Sequence, residues 1–191
     1  MKAIKDNIEK KLVIKKSKFI GFVIEINSKE EAEKYISEYH EKYKDATHVC
    51  YAYIVNNHEK MCDDGEPSGT AGMPMLNLLK TKDLNNVLGI VVRYFGGIKL
   101  GANGLVHAYV DSLNNVLVNN IVDVYPGYNI VFSFDYSLVK DIDYIIRDEI
   151  INKKLFNENI VYDIDCNEDT YLKLKSKNIN VINIKNKLIK K

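Results

Sequence analysis

The chain has no tryptophan, and only three cysteines, three prolines and two arginines among its 191 residues. Cys50, Cys62 and Cys166 are odd in number and far apart, with no Cys-x-x-Cys. That pattern excludes a disulfide framework and a cysteine zinc site and predicts reduced thiols. No apolar run approaches the ~20 residues of a membrane span, and the N-terminus lacks an apolar stretch of signal-peptide length. A cytoplasmic protein without a membrane partner is therefore predicted. Nor is one sign of charge in excess: 27 basic residues face 26 acidic ones, for a net charge of +1. The balance is 16 against 16 up to residue 127 and 11 against 10 after it. Binding to nucleic acid would have to come from a local patch.

Glycine is present but unevenly spread: eight of the ten glycines fall between Gly65 and Gly104. Seven of those eight punctuate two runs, Asp63-Asp64-Gly65-Glu66-Pro67-Ser68-Gly69-Thr70-Ala71-Gly72-Met73-Pro74 and Arg93-Tyr94-Phe95-Gly96-Gly97-Ile98-Lys99-Leu100-Gly101-Ala102-Asn103-Gly104. Glycine in such density indicates loops with a shape to hold.

Apolar periodicity places the runs between regular elements. Lys11 to Ile26 reads as a hairpin around Lys15–Lys18. Ser28 and Glu31 form a capping box ahead of a helix over 29–43. Thr47–Val55 and Val87–Tyr94 are strands without alternation, hence covered on both faces. Pro74 suits the first turn of a helix from Met73 to about Lys82. Another helix is predicted from about Gly104 to Asn119. Tyr125-Pro126-Gly127 reads as a linker, dividing the chain into domains 1–125 and 128–191. Beyond it come a strand over Ile130–Tyr136, a helix over Ser137–Ile150, and strands at 154–156 and 160–166. A helix over 168–177 and a strand over 179–184 follow. This β-α-β-β-α-β order is ferredoxin-like. Lys185, Lys187, Lys190 and Lys191 read as a solvated tail, and Asn56-Asn57 as the end of a strand.

The second run has the layout strand, glycine-rich turn, helix N-terminus, which is that of an anion site. Arg93 and Lys99 could add charge-assisted bonds to a phosphate; alternatively, the glycines serve tight packing of loop on sheet. Its spacing matches neither the dinucleotide fingerprint nor the P-loop. In the first run Asp63, Asp64 and Glu66, with Ser68 and Thr70, offer oxygen ligands for a hard cation such as Mg²⁺. The same residues are also turn chemistry, and the acids could instead pair with Arg93 or Lys99 across the two loops. His48 lies on the strand before the first run. His107 lies on the helix after the second, on one side with Asp111 and Asn114.

DDGEPSGTAGMPML and VVRYFGGIKLGANGLVHAY closely resemble the signature of the IMPACT (YigZ) family, with weaker echoes in KSKFIG and DATHVCYAY. The resemblance implies an α+β protein. Its N-terminal domain would be of the ribosomal-protein type seen in domain IV of elongation factor G, and its C-terminal ferredoxin-like domain would resemble domain V of that factor. Eukaryotic members restrain the kinase of general amino-acid control with an additional N-terminal domain that has no counterpart in these residues. Asn103 stands where the family usually has glycine, and His107 where it has Arg or Lys. The resemblance favours a non-catalytic, translation-linked regulator that binds RNA, the ribosome or another phosphate-bearing partner. Its contact residues would be Arg93, Gly96, Gly97, Lys99, Gly101 and Gly104, with His48 and His107. A metal-dependent phosphate-handling or hydrolytic enzyme using the acidic run, and a protein–protein docking module, are the alternatives. No residue is assigned a catalytic role, and nothing in the sequence indicates an oligomeric state.

Overall fold

A computed structural model describes residues 1–56 and 58–190; Asn57 and Lys191, named above at a strand end and in the lysine-rich tail, lie outside the described residues. The chain forms two compact units, Met1–Asp123 and a second beginning at Val124. Each has its own apolar core.

In the first unit β1 (Lys2–Ile4) precedes a hairpin of β2 (Ile8–Ile14) and β3 (Ser17–Glu25). Its turn is Lys15–Lys16, both at positive φ (43° and 65°), the primed geometry whose twist matches paired strands. Ser17 and Lys18, expected in the turn, belong to β3. Ser28 Oγ accepts from the Glu31 amide (3.1 Å) to start α1 (Lys29–Lys42), and Glu31 reaches back to the Asn27 amide (2.8 Å). β4 (His48–Val55), β5 (His58–Cys62), α2 (Gly72–Thr81), β6 (Val87–Tyr94) and α3 (Gly101–Leu117) follow. The sheet runs β2-β3-β6-β4-β5, antiparallel throughout.

That sheet is buried on both sides, which explains the unbroken apolar runs of its inner strands. Ile20, Phe22, Ile90 and Val92 pack with Ala32 and Ile36 of α1. Phe19, Val23 and Val91 pack with Met75 and Leu79 of α2 and with Tyr109 and Leu113 of α3. β5 carries no apolar signal. It is an exposed edge strand reading His-Glu-Lys-Met-Cys, and sequence periodicity passes over it.

The second unit continues β7 (Ile121–Phe134) through a 3-10 turn into α4 (Val139–Ile145), then β8 (Ile150–Phe156), β9 (Ile160–Cys166), α5 (Glu168–Lys175) and β10 (Asn180–Lys190). The order β10-β7-β9-β8, antiparallel at each step, is the ferredoxin-like sheet. The fold class is thus α+β.

Three expectations are corrected. Tyr125-Pro126-Gly127 does not break the chain but lies inside β7. Pro126 lies opposite Leu188 of β10, at a point of β7 where the pairing with β9, which begins at Tyr128, has not started. The helix expected over 137–150 ends at Ile145, and Ile150 opens β8. The lysine-rich end is not a solvated tail up to Lys190 but the paired strand β10, with Lys187 Nζ bonded to Asp165. The three cysteines are unbridged, Cys50 and Cys166 buried and Cys62 half-buried.

Candidate anion-binding site

The acids of the first run are taken up by the protein itself. Asp63 Oδ1 accepts from the amides of Ala71 (3.0 Å) and Gly72 (2.7 Å), and its Oδ2 accepts from the amide of Gly69 (2.8 Å). One carboxylate thus folds the loop back and sits at the start of α2, where the helix dipole favours negative charge. Asp64, at φ 45°, accepts from the Val49 amide (2.6 Å). Thr70 is buried and donates to the Pro67 carbonyl (2.7 Å), whereas Ser68 is exposed. Among the described residues no three His, Cys, Asp or Glu side chains gather as a cation would require.

Glu66 turns the other way, into the body of the unit. Its Oε1 accepts from the Arg93 guanidinium and from the Tyr109 hydroxyl (2.7 Å). Burial, first of all, pushes the Tyr109 phenol far above its ordinary value, so it keeps its proton and donates. Arg93 is 5% exposed, with its guanidinium 5.5 Å from the ring centres of both Phe19 and Phe95 and Nη2 3.5 Å from Ser17 Oγ. The ion pair therefore joins the two glycine-rich runs, and Arg93 is a buried strut, not an exposed contact. That is the pairing across the loops that the sequence allowed, made specifically by Glu66.

The second run is held at one end and open at the other. The Gly96 amide donates to Ser17 Oγ (3.1 Å), and a Cβ at Gly96 would lie 2.0 Å from the Lys16 carbonyl carbon. Only glycine permits the loop to press on the hairpin turn in this way. Gly97, Ile98, Lys99, Gly101, Ala102 and Asn103 are exposed. α3 starts within this stretch with Leu100 as N-cap, no side-chain cap and no acid in its first turn. A helix leaves its first amides without intrahelical partners and concentrates positive polarity there. Leucine is among the poorest residues for capping them.

The two runs meet at a cavity of about 350 Å³, lined by His48, Glu66 and Arg93 together with Phe95, Lys99 and Gly101, among others. His48 Nδ1 lies 2.7 Å from the Asp64 carbonyl. A carbonyl only accepts, so the proton is on Nδ1. Nε2 is left 3.8 Å from Glu66 Oε2, beyond hydrogen-bond reach. His107 is exposed on α3 and does not line the cavity, and Gly104 lies inside that helix. Three exposed lysines not anticipated for the site, Lys15, Lys16 and Lys18, lie on the hairpin against which Gly96 packs. The Lys-Lys-Ser-Lys spacing was their signal, but it reads equally well as an ordinary solvated turn.

These features define a class: a two-unit α+β protein whose first unit presents an exposed glycine-rich loop at a helix start without a side-chain cap. Residues 15–117, which contain both runs, match the Impact N-terminal domain. The chain is 37% identical over 182 residues to IMPACT family member YvyE of Bacillus subtilis, covering 92% of this chain and 81% of YvyE. It belongs to the IMPACT family. IMPACT family member YigZ of Escherichia coli is 38% identical over 109 residues, 54% of this chain and 53% of YigZ. A crystal structure described as that of a hypothetical protein superposes with a TM-score of 0.63 at 26% identity, covering 95% of this chain and 97% of the other.

Proposed function

We propose that this chain is a non-catalytic, translation-linked regulator that binds RNA, free or in the ribosome, through the glycine-rich face of its first unit. One observation carries the reading: the uncapped, exposed start of α3 stands beside Lys99, and the same loop packs on the hairpin that bears Lys15, Lys16 and Lys18. This gives a near-neutral chain the local basic patch that phosphate binding requires. The translational link follows the family resemblance. Cytoplasmic action is part of the proposal; no helix among the described residues is long and apolar enough to cross a membrane. The acidic run supports the enzyme alternative poorly, because Asp63, Asp64 and Glu66 are each bonded within the protein.

Lys99 and Lys16 are the residues to change, because Arg93 holds the loops together. Binding of single-stranded RNA is to be measured by fluorescence anisotropy across a salt series. The Lys16→Ala/Lys99→Ala variant is expected to bind more weakly, with a log–log salt slope reduced by about one for each phosphate no longer neutralised. RNA binding that is absent, or identical in the double variant, refutes the proposal.

A further inference from the structure

The lining of the cavity beside Lys99 indicates which part of an RNA would enter it. Resting on the RNA-binding reading above, we propose that it receives one terminal, phosphorylated nucleotide. The phosphate lies against Lys99 and the start of α3, and the base stacks on Phe95.

Volume is the first reason. About 350 Å³ is at the lower end of the ~300–1,000 Å³ typical of ligand pockets, room for a single nucleotide-sized group and not for a length of strand. Charge is the second. Among the described residues lining the cavity, Arg93 is neutralised by Glu66, while Lys99 is in no ion pair. One free ammonium beside one helix terminus matches one phosphate, whereas a groove that tracks a backbone needs a row of cations. The floor is the third reason. Glu66 and Arg93 are buried in the cavity's lining and His48 is largely so, which closes that side of it to a continuing strand.

Two groups in this lining have work still undone. Arg93 Nε is a buried donor without a hydrogen-bond partner, one of two buried side-chain polar atoms in that condition among the described residues. Such a donor is costly to leave unmet, and a phosphate or base oxygen entering past Phe95 would satisfy it. Phe95 is 48% exposed, its ring over the Arg93 guanidinium, so it presents an aromatic surface to solvent at the cavity rim. Bases of any identity stack on such a ring. The uncapped first turn of the 17-residue α3 supplies the remaining amides.

The test uses the full chain and a ten-nucleotide single-stranded RNA in three forms: 5′-phosphate, 3′-phosphate, and hydroxyl at both ends. One phosphorylated form is expected to bind about tenfold more tightly than the hydroxyl form, the scale of one charge-assisted bond, because the base stacks in all three. A nucleoside monophosphate should displace it. Lys99→Ala should abolish that preference, while Lys16→Ala, outside the cavity, should weaken all three forms alike. Equal binding of the three forms overturns the terminal pocket and leaves the RNA-binding face standing. Failure of every form to bind overturns both. Displacement by a phosphoserine peptide as effective as the monophosphate overturns the assignment to a nucleotide.

Discussion

Removing the Glu66 carboxylate would leave the Arg93 guanidinium buried between two aromatic rings without a counter-charge. Breaking a buried pair by removing one partner typically costs about 3–5 kcal/mol, far more than the pair's net contribution over an apolar substitute. Glu66→Gln keeps the side-chain shape and is expected to lose stability on that scale in urea unfolding. Ser68→Ala, two positions along on exposed loop, should stay within about 0.5 kcal/mol of the parent. Equal effects would show that the ion pair is not what joins the two runs. A pairing of acid and arginine was legible in the sequence, but the choice of Glu66 was not. The shorter aspartates reach backbone amides within and beside their own loop, and the extra methylene of glutamate lets that one residue reach across to Arg93. The lone tautomer of His48 was equally hidden, since it depends on a carbonyl sixteen positions away in the chain.

At the scale of elements, β6 and β9 were legible with their limits because both are continuous apolar or alternating runs between polar stretches. β10 was legible only in its first half, as the strand over 179–184; from Lys185 onward Asn and Lys alternate with apolar residues along an edge strand and look like a tail until Asp165 is placed opposite Lys187. That ion pair has a pH signature. Burial alone would raise the Asp165 carboxyl, but its bonds to Lys187, Asn129 and Asn152 outweigh burial and hold it below its ordinary value of 3.8. A group with a depressed folded pKa contributes stability that is complete above the unfolded value and lost as pH falls through the folded one. Lys187→Met should therefore destabilise the second unit near about pH 7, and the difference from the parent should shrink as pH falls below about 4. Urea unfolding at a series of pH values measures this; a difference that is constant down to about pH 2 would assign the loss to packing, not to the carboxylate.

Over the whole molecule, the sequence carried the number of units but not the manner of their division. The proline and glycine that suggested a break sit within a strand, and the two cores separate around it without a loop between them. Gly127 is there because a Cβ would lie 2.5 Å from the Cys166 carbonyl oxygen and 2.6 Å from Ile189 Cγ1. Close strand approach, not chain flexibility, is what it serves. Two cores without shared residues should respond separately to damage. Phe132 is fully buried in the second unit, its ring 5.6 Å from Phe134 and 6.1 Å from Tyr162. Phe132→Ala should cost about 3–5 kcal/mol there. In native-state hydrogen exchange, amides of β9 and of β7 from Ile130 onward should lose protection by that amount, while those of β3, β4 and β6 keep theirs. The proposed RNA binding should then survive conditions in which the second unit is largely open, because every group of the proposed anion site lies in the first. Parallel loss of protection in β6 would mean that the two cores unfold as one cooperative body, and the independence argued from their packing would fall.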